Sequence, residues 1–541
     1  MSEILLDVRG LHVRLPASSE RSHALCDVNV RLARGELLCV VGESGSGKST
    51  LGSTILGLLA PGLRAEAGTV QLAGRDLLAL TQRELRDIRG RDIALVAQDP
   101  LAALNPVQRI GAQIDEALQL HTALSRRERQ ARVLELLGYV DLPRPARLRR
   151  AYPFQLSGGQ RQRVAIAIAL ACEPRLLIAD EVTSALDAAT RTQILDLLQR
   201  IRRDTGMAVL LITHDFSVVR AVADRVLVMR HGRVVEEGEC RQVLENPQAD
   251  YTRSLLAATR LQPRSAGQVA DAAPLLEARD LHKRHWQRHG LRRQAVTALD
   301  GVSLQLRPGE TLGIVGESGS GKSTLARVLL RLLPLDQGSI RLAGREFLDL
   351  DPRGLRAARS DIQMVFQDPS ASFNPRRRVG DALIDGLLLR GVGKAEAERR
   401  ARELLEWVGL PASAYDAYPH AFSGGQRQRI AIARALLPEP RVLVADECVS
   451  ALDALIQAQI LELLERLQSQ LGLSMIFITH DLGVAARLCD RVLVMHQGRV
   501  VENAPTTQLL AAPQHPYTRT LLAAHAGHTT IAATDAVLEA T

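Results

Sequence analysis

A stretch rich in glycine and serine occurs twice in this chain of 541 residues. Both copies fit the pattern G-x-x-x-x-G-K-[ST], and each follows an apolar run and precedes a helical pattern. Glycines allow the backbone to wrap around a phosphate with successive N–H groups pointing inward, and the helix that follows adds a partial positive charge. Each copy therefore predicts a phosphate-binding P-loop. The copies are Gly42-Glu43-Ser44-Gly45-Ser46-Gly47-Lys48-Ser49-Thr50 and Gly316-Glu317-Ser318-Gly319-Ser320-Gly321-Lys322-Ser323-Thr324.

Lysine usage supports the same function for both loops. The chain contains only four lysines among its 68 basic residues, and two of the four are Lys48 and Lys322. Arginine replaces lysine at most solvated positions but not where geometry is restrictive. The compact ammonium group is therefore predicted to be required in the loops. We expect the two lysines to reach the β- and γ-phosphates, and Ser49 and Ser323 to bind Mg²⁺.

Bulk properties limit the classes of protein to which the chain can belong. Hydrophobic residues make up 46% of it, which is ample for packed cores. No apolar run is long enough to span a membrane, and the N-terminus lacks the features of a signal peptide. The six cysteines include no C-x-x-C pair, so we expect reduced thiols in a cytosolic protein. The net charge of +8 permits anionic partners, whereas an aromatic content of 3% disfavours stacking on single-stranded nucleic acid.

The order of the motifs indicates that a whole domain is duplicated. The same glutamine, Ser-Gly-Gly, Asp-Glu and Thr-His-Asp motifs follow both P-loops in the same order. We predict a first domain over residues 4–258, a flexible linker over 259–274, a second domain over 275–525 and a tail over 526–541.

Alternating strand and helix patterns predict an α/β fold in each domain. Apolar runs such as 37–41 and 208–212 alternate with helical patterns, and a strand-turn-strand pattern covers 225–238. Residues 100–156 and 369–422 are helical in pattern. This alternation implies a parallel sheet covered on both faces. The motif residues then fall at the carboxyl ends of strands, where such sheets bind ligands.

Two carboxylates end an apolar strand in each domain, Asp180 with Glu181 and Asp446 with Glu447. Taken alone, an acidic pair after a strand is usually the start of a solvated loop. Behind a P-loop, the first carboxylate suits Mg²⁺ binding and the second suits activation or positioning of an attacking water. We therefore predict that the aspartates are metal ligands and the glutamates are catalytic residues.

A Ser-Gly-Gly-Gln turn opens an arginine-containing helix in each domain. Alone, such a turn could be an ordinary helix start or another anion-binding helix end. Together with the P-loops and the acidic pairs, the two turns make the chain resemble an ATP-binding-cassette (ABC) ATPase with two cassettes, over nearly its whole length. In this family the turn is the signature motif. Its matches here are Ser157-Gly158-Gly159-Gln160 and Ser423-Gly424-Gly425-Gln426.

The resemblance implies a fold, a substrate and a cofactor. It implies two tandem P-loop NTPase (ABC) nucleotide-binding domains of the α/β class. Each would have a parallel-sheet core, an antiparallel β subdomain and a helical subdomain. ATP and Mg²⁺ are the implied ligands, and the residues placed around the metal are Ser49, Gln98, Asp180, Ser323, Gln367 and Asp446.

The resemblance also assigns roles to three further pairs of residues. It adds two glutamines and two histidines to the predicted catalytic residues, and two aspartates to those that bind ATP. These are the glutamines that sense Mg²⁺ and water and report to a membrane partner (Gln98 and Gln367), the aspartates of the loop that crosses the interface between cassettes (Asp187 and Asp453) and the histidines that contact the γ-phosphate (His214 and His480).

In this family each ATP lies between the P-loop of one cassette and the signature of the other. The resemblance therefore implies that Lys48 faces Ser423 and that Lys322 faces Ser157, in an intramolecular pair of cassettes. Both sites contain every motif, including the glutamate, so we expect two hydrolytic sites.

Two features depart from the usual family pattern. The residue that stacks on adenine is left open: Leu15 lies near that place in the first domain, and His285 or Trp286 in the second. Val182 and Cys448 replace the usual proline after the glutamate, and we expect small effects on that turn.

Two further repeats narrow the resemblance. A Gln-Asp-Pro run that ends in Asn-Pro occurs at 98–106 and 367–375, and a Tyr-Thr-Arg motif near each domain end begins at Tyr251 and Tyr517. Together they make the chain similar to the oligopeptide/dipeptide importer branch, which also includes nickel, glutathione and microcin-type uptake systems. No cysteine closely follows either Tyr-Thr-Arg motif, so we expect no iron–sulfur centre.

The resemblance implies that ATP-dependent closure of the two cassettes drives uptake of peptides, with nickel, glutathione or another small solute as alternatives. The implied partners are two transmembrane permease subunits and a solute-binding protein, at the cytoplasmic face of the bacterial inner membrane. A soluble two-cassette protein that acts on ribosomes or DNA is the rival hypothesis. The short linker and the lack of cysteine pairs disfavour it, so no nucleic acid partner is expected.

Overall fold

The computed structural model divides into two compact units, one within residues 1–259 and the other within 260–529. Most of the predicted linker, 259–274, and nearly all of the predicted tail, 526–541, lie outside the part of the chain that the structure describes. The described residues are 3–16, 21–183, 186, 188–259, 272–289, 292–317, 319–368, 372–450 and 452–526.

In the described part of the first unit, ten strands form two sheets. The strands are β1 (Ile4–Arg14), β2 (His23–Ala33), β3 (Leu37–Val41), β4 (Arg64–Leu72), β5 (Arg75–Asp76), β6 (Ile93–Val96), β7 (Leu176–Asp180), β8 (Ala208–Ile212), β9 (Arg225–Arg230) and β10 (Arg233–Glu239).

One of these sheets is antiparallel and the other is mostly parallel. The antiparallel sheet has the order β2-β1-β4-β5. The core sheet has the order β10-β9-β3-β8-β7-β6, and only its edge strand β10 runs antiparallel to its neighbour. This arrangement confirms the α/β class and the separate antiparallel sheet.

Helices cover the core sheet of the first unit and form a group between β6 and β7. Short 3-10 turns occur at Leu77–Ala79 and Pro153–Gln155. The α-helices are α1 (Lys48–Ile55), α2 (Gln82–Ile88), α3 (Pro100–Ala103), α4 (Ile110–His121), α5 (Arg126–Tyr139), α6 (Pro145–Leu148), α7 (Gly158–Leu170), α8 (Ala188–Thr205), α9 (Phe216–Val222), α10 (Cys240–Glu245) and α11 (Asp250–Thr259).

The second unit repeats the same strand topology. Its antiparallel sheet has the order β12-β11-β14-β15, and its core sheet has the order β16-β17-β18-β13-β19-β20. The strands are β11 (Leu276–His289), β12 (Arg292–Leu306), β13 (Thr311–Val315), β14 (Gln337–Leu342), β15 (Arg345–Glu346), β16 (Ile362–Val365), β17 (Val442–Asp446), β18 (Ser474–Thr479), β19 (Arg491–His496) and β20 (Arg499–Pro505).

The helices of the second unit also follow those of the first. Its 3-10 turns occur at Ala412–Asp416 and Pro419–Ala421. The α-helices are α12 (Lys322–Leu329), α13 (Pro352–Asp361), α14 (Val379–Leu388), α15 (Lys394–Trp407), α16 (Gly424–Leu436), α17 (Ala454–Leu471), α18 (Leu482–Leu488), α19 (Thr506–Ala511) and α20 (Pro516–Ala526).

The strand that leads into each P-loop is buried along its whole length. All residues of β3 and of β13 are buried, as is typical of central strands in a sheet that is covered on both faces. On one face, Leu38 and Val40 pack in the same cluster as Leu51 and Ile55 of α1. This packing fixes the strand and the helix on either side of the P-loop.

The predicted strands and helices are largely confirmed. The runs 37–41 and 208–212 coincide with β3 and β8, and the 225–238 pattern forms the β9–β10 hairpin. The S-x-x-E pattern at Ser125 forms a capping box that opens α5. Among the described residues, no helix combines the length and apolar character needed to cross a membrane. All six cysteines are free thiols.

Glycine is needed where β14 passes close to β11. Gly338 has φ 118°, and a Cβ atom there would lie 2.7 Å from the carbonyl oxygen of Asp280. Gly344, in the turn after β14, also has a positive φ of 77°, but a Cβ atom there would meet no atom within 4 Å. Alanine variants at the two positions therefore distinguish the cost of a left-handed backbone from the cost of steric overlap.

We predict that Gly338→Ala destabilises the second unit by at least ~2 kcal/mol more than Gly344→Ala does. Gly344→Ala should cost only about 1 kcal/mol, because alanine there must adopt a left-handed backbone conformation without steric overlap. Tryptophan fluorescence during urea unfolding measures this, because both tryptophans, Trp286 and Trp407, belong to the second unit. Equal losses in the two variants would contradict the close approach of the strands.

Candidate active sites

Four strands of the first core sheet end at the same edge, and a predicted site residue follows or ends each of them. The P-loop follows β3, Gln98 follows β6, Asp180 ends β7 and His214 follows β8. Parallel strands place their carboxyl ends together, so these residues converge. The second unit repeats the arrangement at the ends of β13, β16, β17 and β18.

Each P-loop lysine is held by carbonyl groups of its own loop. The Nζ atom of Lys48 donates hydrogen bonds to the carbonyl oxygens of Gly42 at 2.7 Å and Glu43 at 2.8 Å. Lys322 makes the same two bonds at 2.7 and 2.8 Å. Burial lowers the pKa of Lys322, partly opposed by nearby carboxylates. A bound phosphate would offset that desolvation, because its charge favours the ammonium form.

The P-loop backbone lies too close to neighbouring segments to accept side chains at two glycines. Gly42 has φ 149°, and a Cβ atom there would lie 2.1 Å from the carbonyl oxygen of Met229. Gly47 has φ 106°, and its Cβ would lie 2.8 Å from the carbonyl oxygen of Ala24. The loop shape therefore depends on glycine for both space and conformation. Ser318, predicted in the second loop, lies outside the described residues.

The serine after each lysine stands beside the aspartate that was predicted to bind Mg²⁺. The Ser323 hydroxyl donates to Oδ1 of Asp446 at 3.2 Å. Burial raises the pKa of Asp180 and of Asp446. Nearby cations and hydrogen-bond donors therefore do not fully offset the loss of hydration of these carboxylates. Oδ1 of Asp180 is buried and accepts no hydrogen bond from the residues that the structure describes. A buried carboxylate oxygen without a donor, next to a hydroxyl, fits a hard cation such as Mg²⁺.

In the first unit the predicted catalytic glutamate joins two other predicted residues. Nε2 of Gln98 donates to Oε2 of Glu181 at 2.6 Å. Nδ1 of His214 lies 3.0 Å from Oε1 of the same carboxylate. The structure therefore brings the glutamine, the glutamate and the histidine together.

The second unit forms the same cluster with a longer histidine contact. Nε2 of Gln367 donates to Oε2 of Glu447 at 2.8 Å. Nδ1 of His480 lies 3.7 Å from Oε1 of that glutamate. Both sites therefore hold all three residues, and they differ mainly in how closely the histidine approaches.

Both glutamates have a backbone conformation that L-residues rarely adopt. Glu181 and Glu447 each have φ 47°. Their N–H groups continue the sheet by donating to the carbonyls of Ile212 and Ile478, both at 2.9 Å. Left-handed backbone at a non-glycine residue is costly, and the surrounding structure must enforce it. The conformation turns each carboxylate out of the strand direction at the point where the cluster forms.

Charge pairing sets the protonation of the clusters. Burial favours a higher pKa for Glu181, but the hydrogen bond and charge of His214 outweigh it and lower the pKa. Burial likewise favours a lower pKa for His214, but Glu181 outweighs it and raises the pKa. The approach of His480 likewise lowers the pKa of Glu447. Both glutamates are therefore ionised at neutral pH.

The signature residues form a separate group at the start of α7 and of α16. Ser157 caps α7 by accepting the N–H of Gln160 at 3.3 Å, while Oε1 of Gln160 accepts the N–H of Ser157 at 3.1 Å. Ser423 and Gln426 form the same capping box at 3.3 and 2.9 Å. The two serines and the glycines after them, Gly158 and Gly424, are exposed. The helix ends thus remain open to a ligand.

The remaining predicted residues have varied placements. Asp453 caps α17 by accepting the N–H of Ile456 at 3.0 Å, whereas Asp187 lies outside the described residues. Leu15 packs against the first core, and Trp286 is 69% exposed. The side chains that contact adenine therefore remain a prediction. Both replacements of the usual proline, Val182 and Cys448, are buried.

Two sets of loop contacts were not predicted from the sequence. The β9–β10 hairpin tip touches the first P-loop through the N–H of Gly232, which donates to the carbonyl of Ser46 at 2.9 Å. The tyrosine of each Tyr-Thr-Arg motif accepts a backbone hydrogen bond from a P-loop. The repetition of that motif was the only available signal, and it did not indicate the contact.

Comparison with known families identifies two matching regions of the chain and a shorter match near its end. Residues 25–184 and 299–450 match the family model described as ABC transporter, and together they exceed half of the chain. The chain belongs to the ABC transporter family. Each matched segment is an ABC ATPase domain, which confirms the predicted tandem cassettes and the predicted enzyme class. Residues 501–530 match the model described as oligopeptide/dipeptide transporter, C-terminal region.

Curated ABC proteins are similar along almost the whole chain. The glutathione import ATP-binding protein GsiA of Escherichia coli (strain K12) is 43% identical over 96% of this chain and 89% of its own. The peptidoglycan transport ATP-binding protein YejF of Agrobacterium fabrum is 44% identical over 96% of both chains. A solved structure, the dimeric bacterial ABC transporter cassette MJ0796, aligns with 44% of this chain and 99% of its own, at 33% identity and a TM-score of 0.40.

The glutamate and histidine of the first ABC cassette stabilise each other over a defined pH range. The pKa of Glu181 is lowered, so its contribution is present above its ordinary value of 4.5 and is lost as pH falls below it. The pKa of His214 is raised, so its contribution is present below 6.5 and is lost as pH rises through the raised pKa. The pair therefore stabilises this cassette fully between these two values.

We predict that Glu181→Gln lowers the pKa of His214, because it removes the carboxylate that raises it. Titration of isotope-labelled histidine rings by NMR, without nucleotide, measures this directly. Glu447→Gln makes the same change in the other ABC cassette and should leave the pKa of His214 unchanged. An unchanged His214 titration in Glu181→Gln would show that the pair is absent.

Proposed function

We propose that the chain is the ATP-hydrolysing subunit of an importer for peptides or related small solutes, with both cassettes active. One observation carries this proposal, and it is present in each cassette. A glutamate accepts a hydrogen bond from the glutamine that follows one strand, and it faces the histidine that follows another strand. A cassette that only binds nucleotide has no need of this cluster. Its repetition supports two hydrolytic sites.

Phosphate binding would use the lysines and the helix ends. Lys48 and Lys322 would exchange their carbonyl contacts for β- and γ-phosphate oxygens, which form stronger charge-assisted hydrogen bonds. The N-termini of α1 and α12 add partial positive charge at the same place. Catalysis would then consist of positioning and charge stabilisation during phosphoryl transfer to water.

Mg²⁺ would be held by oxygen ligands from three elements in each cassette. Mg²⁺, when bound, neutralises charge that develops between the β- and γ-phosphates. The residues proposed to hold it are Ser49, Gln98 and Asp180 in the first cassette and Ser323, Gln367 and Asp446 in the second. Oδ1 of Asp180, which accepts no hydrogen bond from the described residues, supports this choice of ligands.

Each glutamate would activate water only after its contacts rearrange. In the first cassette Gln98 occupies Oε2 of Glu181, and His214 lies against Oε1. Both carboxylate oxygens therefore already have a side-chain partner, which competes with water for the carboxylate. We infer that ATP binding draws the glutamine toward the metal and the histidine toward the γ-phosphate, which frees the glutamate as a base. The same exchange would apply to Glu447.

The signature motifs would complete the sites when the cassettes close. From the family resemblance we infer an intramolecular pair in which Ser423 binds the nucleotide held by Lys48, and Ser157 the nucleotide held by Lys322. The exposed capping boxes support this role, because open N–H groups at a helix end bind anions.

Permease subunits are the proposed partners for the segments around the two glutamines. Leu101 and Val107, in and after α3, are 46% and 79% exposed. Phe366, which precedes Gln367, is 39% exposed. Exposed apolar side chains in a loop fit a protein interface. We therefore propose two permease subunits and a solute-binding protein, with this chain at the cytoplasmic face of the inner membrane.

Peptide-like solutes are the favoured substrates. The C-terminal match is to an oligopeptide/dipeptide transporter region, and the similar proteins named above concern glutathione import and peptidoglycan transport. Glutathione, itself a tripeptide, is the second candidate that these similarities favour. Their extent disfavours a ribosome- or DNA-acting ATPase, and no nucleic acid partner is proposed.

We predict that the double variant Glu181→Gln, Glu447→Gln binds ATP but hydrolyses it at least ~100-fold more slowly, because both proposed bases are lost. Uptake of labelled tripeptides and glutathione should disappear in a host that carries only this variant. Glu66→Gln, on the antiparallel sheet and paired with Arg14, is the matched control and should retain both activities.

The two readouts separate the parts of the proposal. Undiminished hydrolysis in the double variant would contradict the role of the glutamates. Lost hydrolysis with unchanged uptake of every tested solute would leave the ATPase assignment intact and contradict the import function.

A further inference from the structure

The tyrosine of each Tyr-Thr-Arg motif reaches back to the P-loop of its own cassette. In the first cassette, the hydroxyl oxygen of Tyr251 in α11 accepts the N–H of Glu43 at 3.2 Å. In the second, Tyr517 in α20 accepts the N–H of Glu317 at 3.0 Å. The contact joins residues about 200 positions apart in each case. Its independent repetition argues against coincidence.

The peptide that the tyrosine binds also positions the lysine. The N–H of Glu43 and the carbonyl of Gly42 belong to one planar trans peptide, so they point in opposite directions. The tyrosine therefore fixes the N–H end of that peptide. The carbonyl end accepts a hydrogen bond from Nζ of Lys48 at 2.7 Å. Rotation of the peptide would break both contacts together. The same geometry occurs between Tyr517 and Lys322.

Each tyrosine ring is held in place by a residue at the end of a strand. The guanidinium of Arg230 lies over the ring of Tyr251, 4.8 Å from its centroid. The ring of His496 stacks on Tyr517 with centroids 4.0 Å apart. Arg230 ends β9 and His496 ends β19. These strands are equivalent in the two cassettes, so each tyrosine is supported from the same structural position.

A carboxylate anchors the start of the helix that carries each tyrosine. Glu236 on β10 accepts the N–H groups of Gln248 and Ala249 at 2.7 and 3.1 Å, just before α11. Glu502 on β20 accepts those of Gln514 and His515 at 2.8 and 3.0 Å, just before α20. Two charge-assisted bonds at each anchor limit movement of the helix, so the hydroxyl stays in reach of the loop.

We propose that Tyr251 and Tyr517 are positioning residues for the P-loop lysines, and that the C-terminal helix of each cassette thereby sets the affinity of its own P-loop for ATP phosphates. The tyrosines act through the Gly-Glu peptide and touch no reacting atom. The inference rests on the proposed ATP sites, but its first test requires no nucleotide.

The test uses the rarity of lysine in this chain. Amine acylation of the nucleotide-free protein, followed by mass spectrometry, reports each of the four lysines separately. Tyr251→Phe removes the hydroxyl and leaves the ring, so we expect Lys48 to be labelled roughly three- to tenfold faster, as the loss of one hydrogen bond allows. Lys322 should be unchanged. Tyr517→Phe should give the opposite pattern.

One reference lysine and one control variant test for a general increase in the mobility of the protein. Lys394, whose side chain is 73% exposed, should be labelled at the same rate in every variant. Tyr139→Phe removes another tyrosine hydroxyl, which donates to Asp204 at 2.9 Å in the first cassette, and should change neither P-loop lysine. Equal labelling of Lys48 in Tyr251→Phe and the unchanged protein would overturn the proposal. So would a similar increase at both P-loop lysines in either variant.

Steady-state kinetics supplies a second readout. A positioned lysine affects phosphate binding, so each Phe variant should raise the KM for ATP by roughly three- to tenfold and change kcat less. A fall in kcat with an unchanged KM would overturn the proposal. If no hydrolysis were detectable in any form of the protein, the proposed function would fail, and the labelling pattern would still decide the role of the tyrosines.

Discussion

Close packing around the P-loop backbone is the constraint on which both cassettes depend. A Cβ atom at the first glycine of the loop would lie 2.1 Å from the Met229 carbonyl in the first cassette and 2.2 Å from the Met495 carbonyl in the second. The loop is therefore enclosed by the end of β9 or β19. Its shape is set by contacts with distant strands rather than by local preference alone, and only glycine permits those contacts.

This enclosure explains how other parts of the chain gain influence over the phosphate site. The β9–β10 hairpin and α11 both contact the first loop, and each belongs to the last part of that cassette. The strand ends on the other side supply the aspartate, the glutamate and the histidine. A change at any of these elements can therefore affect the P-loop lysine or the strand-end glutamate through one or two hydrogen bonds.

Most of the fold, and the convergence of the motif residues at one edge of each core sheet, could be predicted, because both depend on local patterns. β3 and β8 are apolar runs with sharp ends, and the signature turns contain their own capping boxes. The left-handed backbone of Glu181 could not be predicted, because it follows from packing against β8. The bond between Gln98 and Glu181 joins strands far apart in sequence, and the tyrosine contact joins the two ends of a cassette. No sequence pattern specifies such tertiary contacts.

We propose that this two-cassette ATPase drives membrane permeases. Isolation of the tagged chain from its host's membranes in mild detergent would identify its partners. Identification of two co-purifying proteins with several membrane spans each, in amounts comparable to the chain, is the predicted result. Recovery of ribosomes or DNA-repair proteins, without any membrane protein, would rule out coupling to permeases and favour an ATPase that acts on ribosomes or DNA.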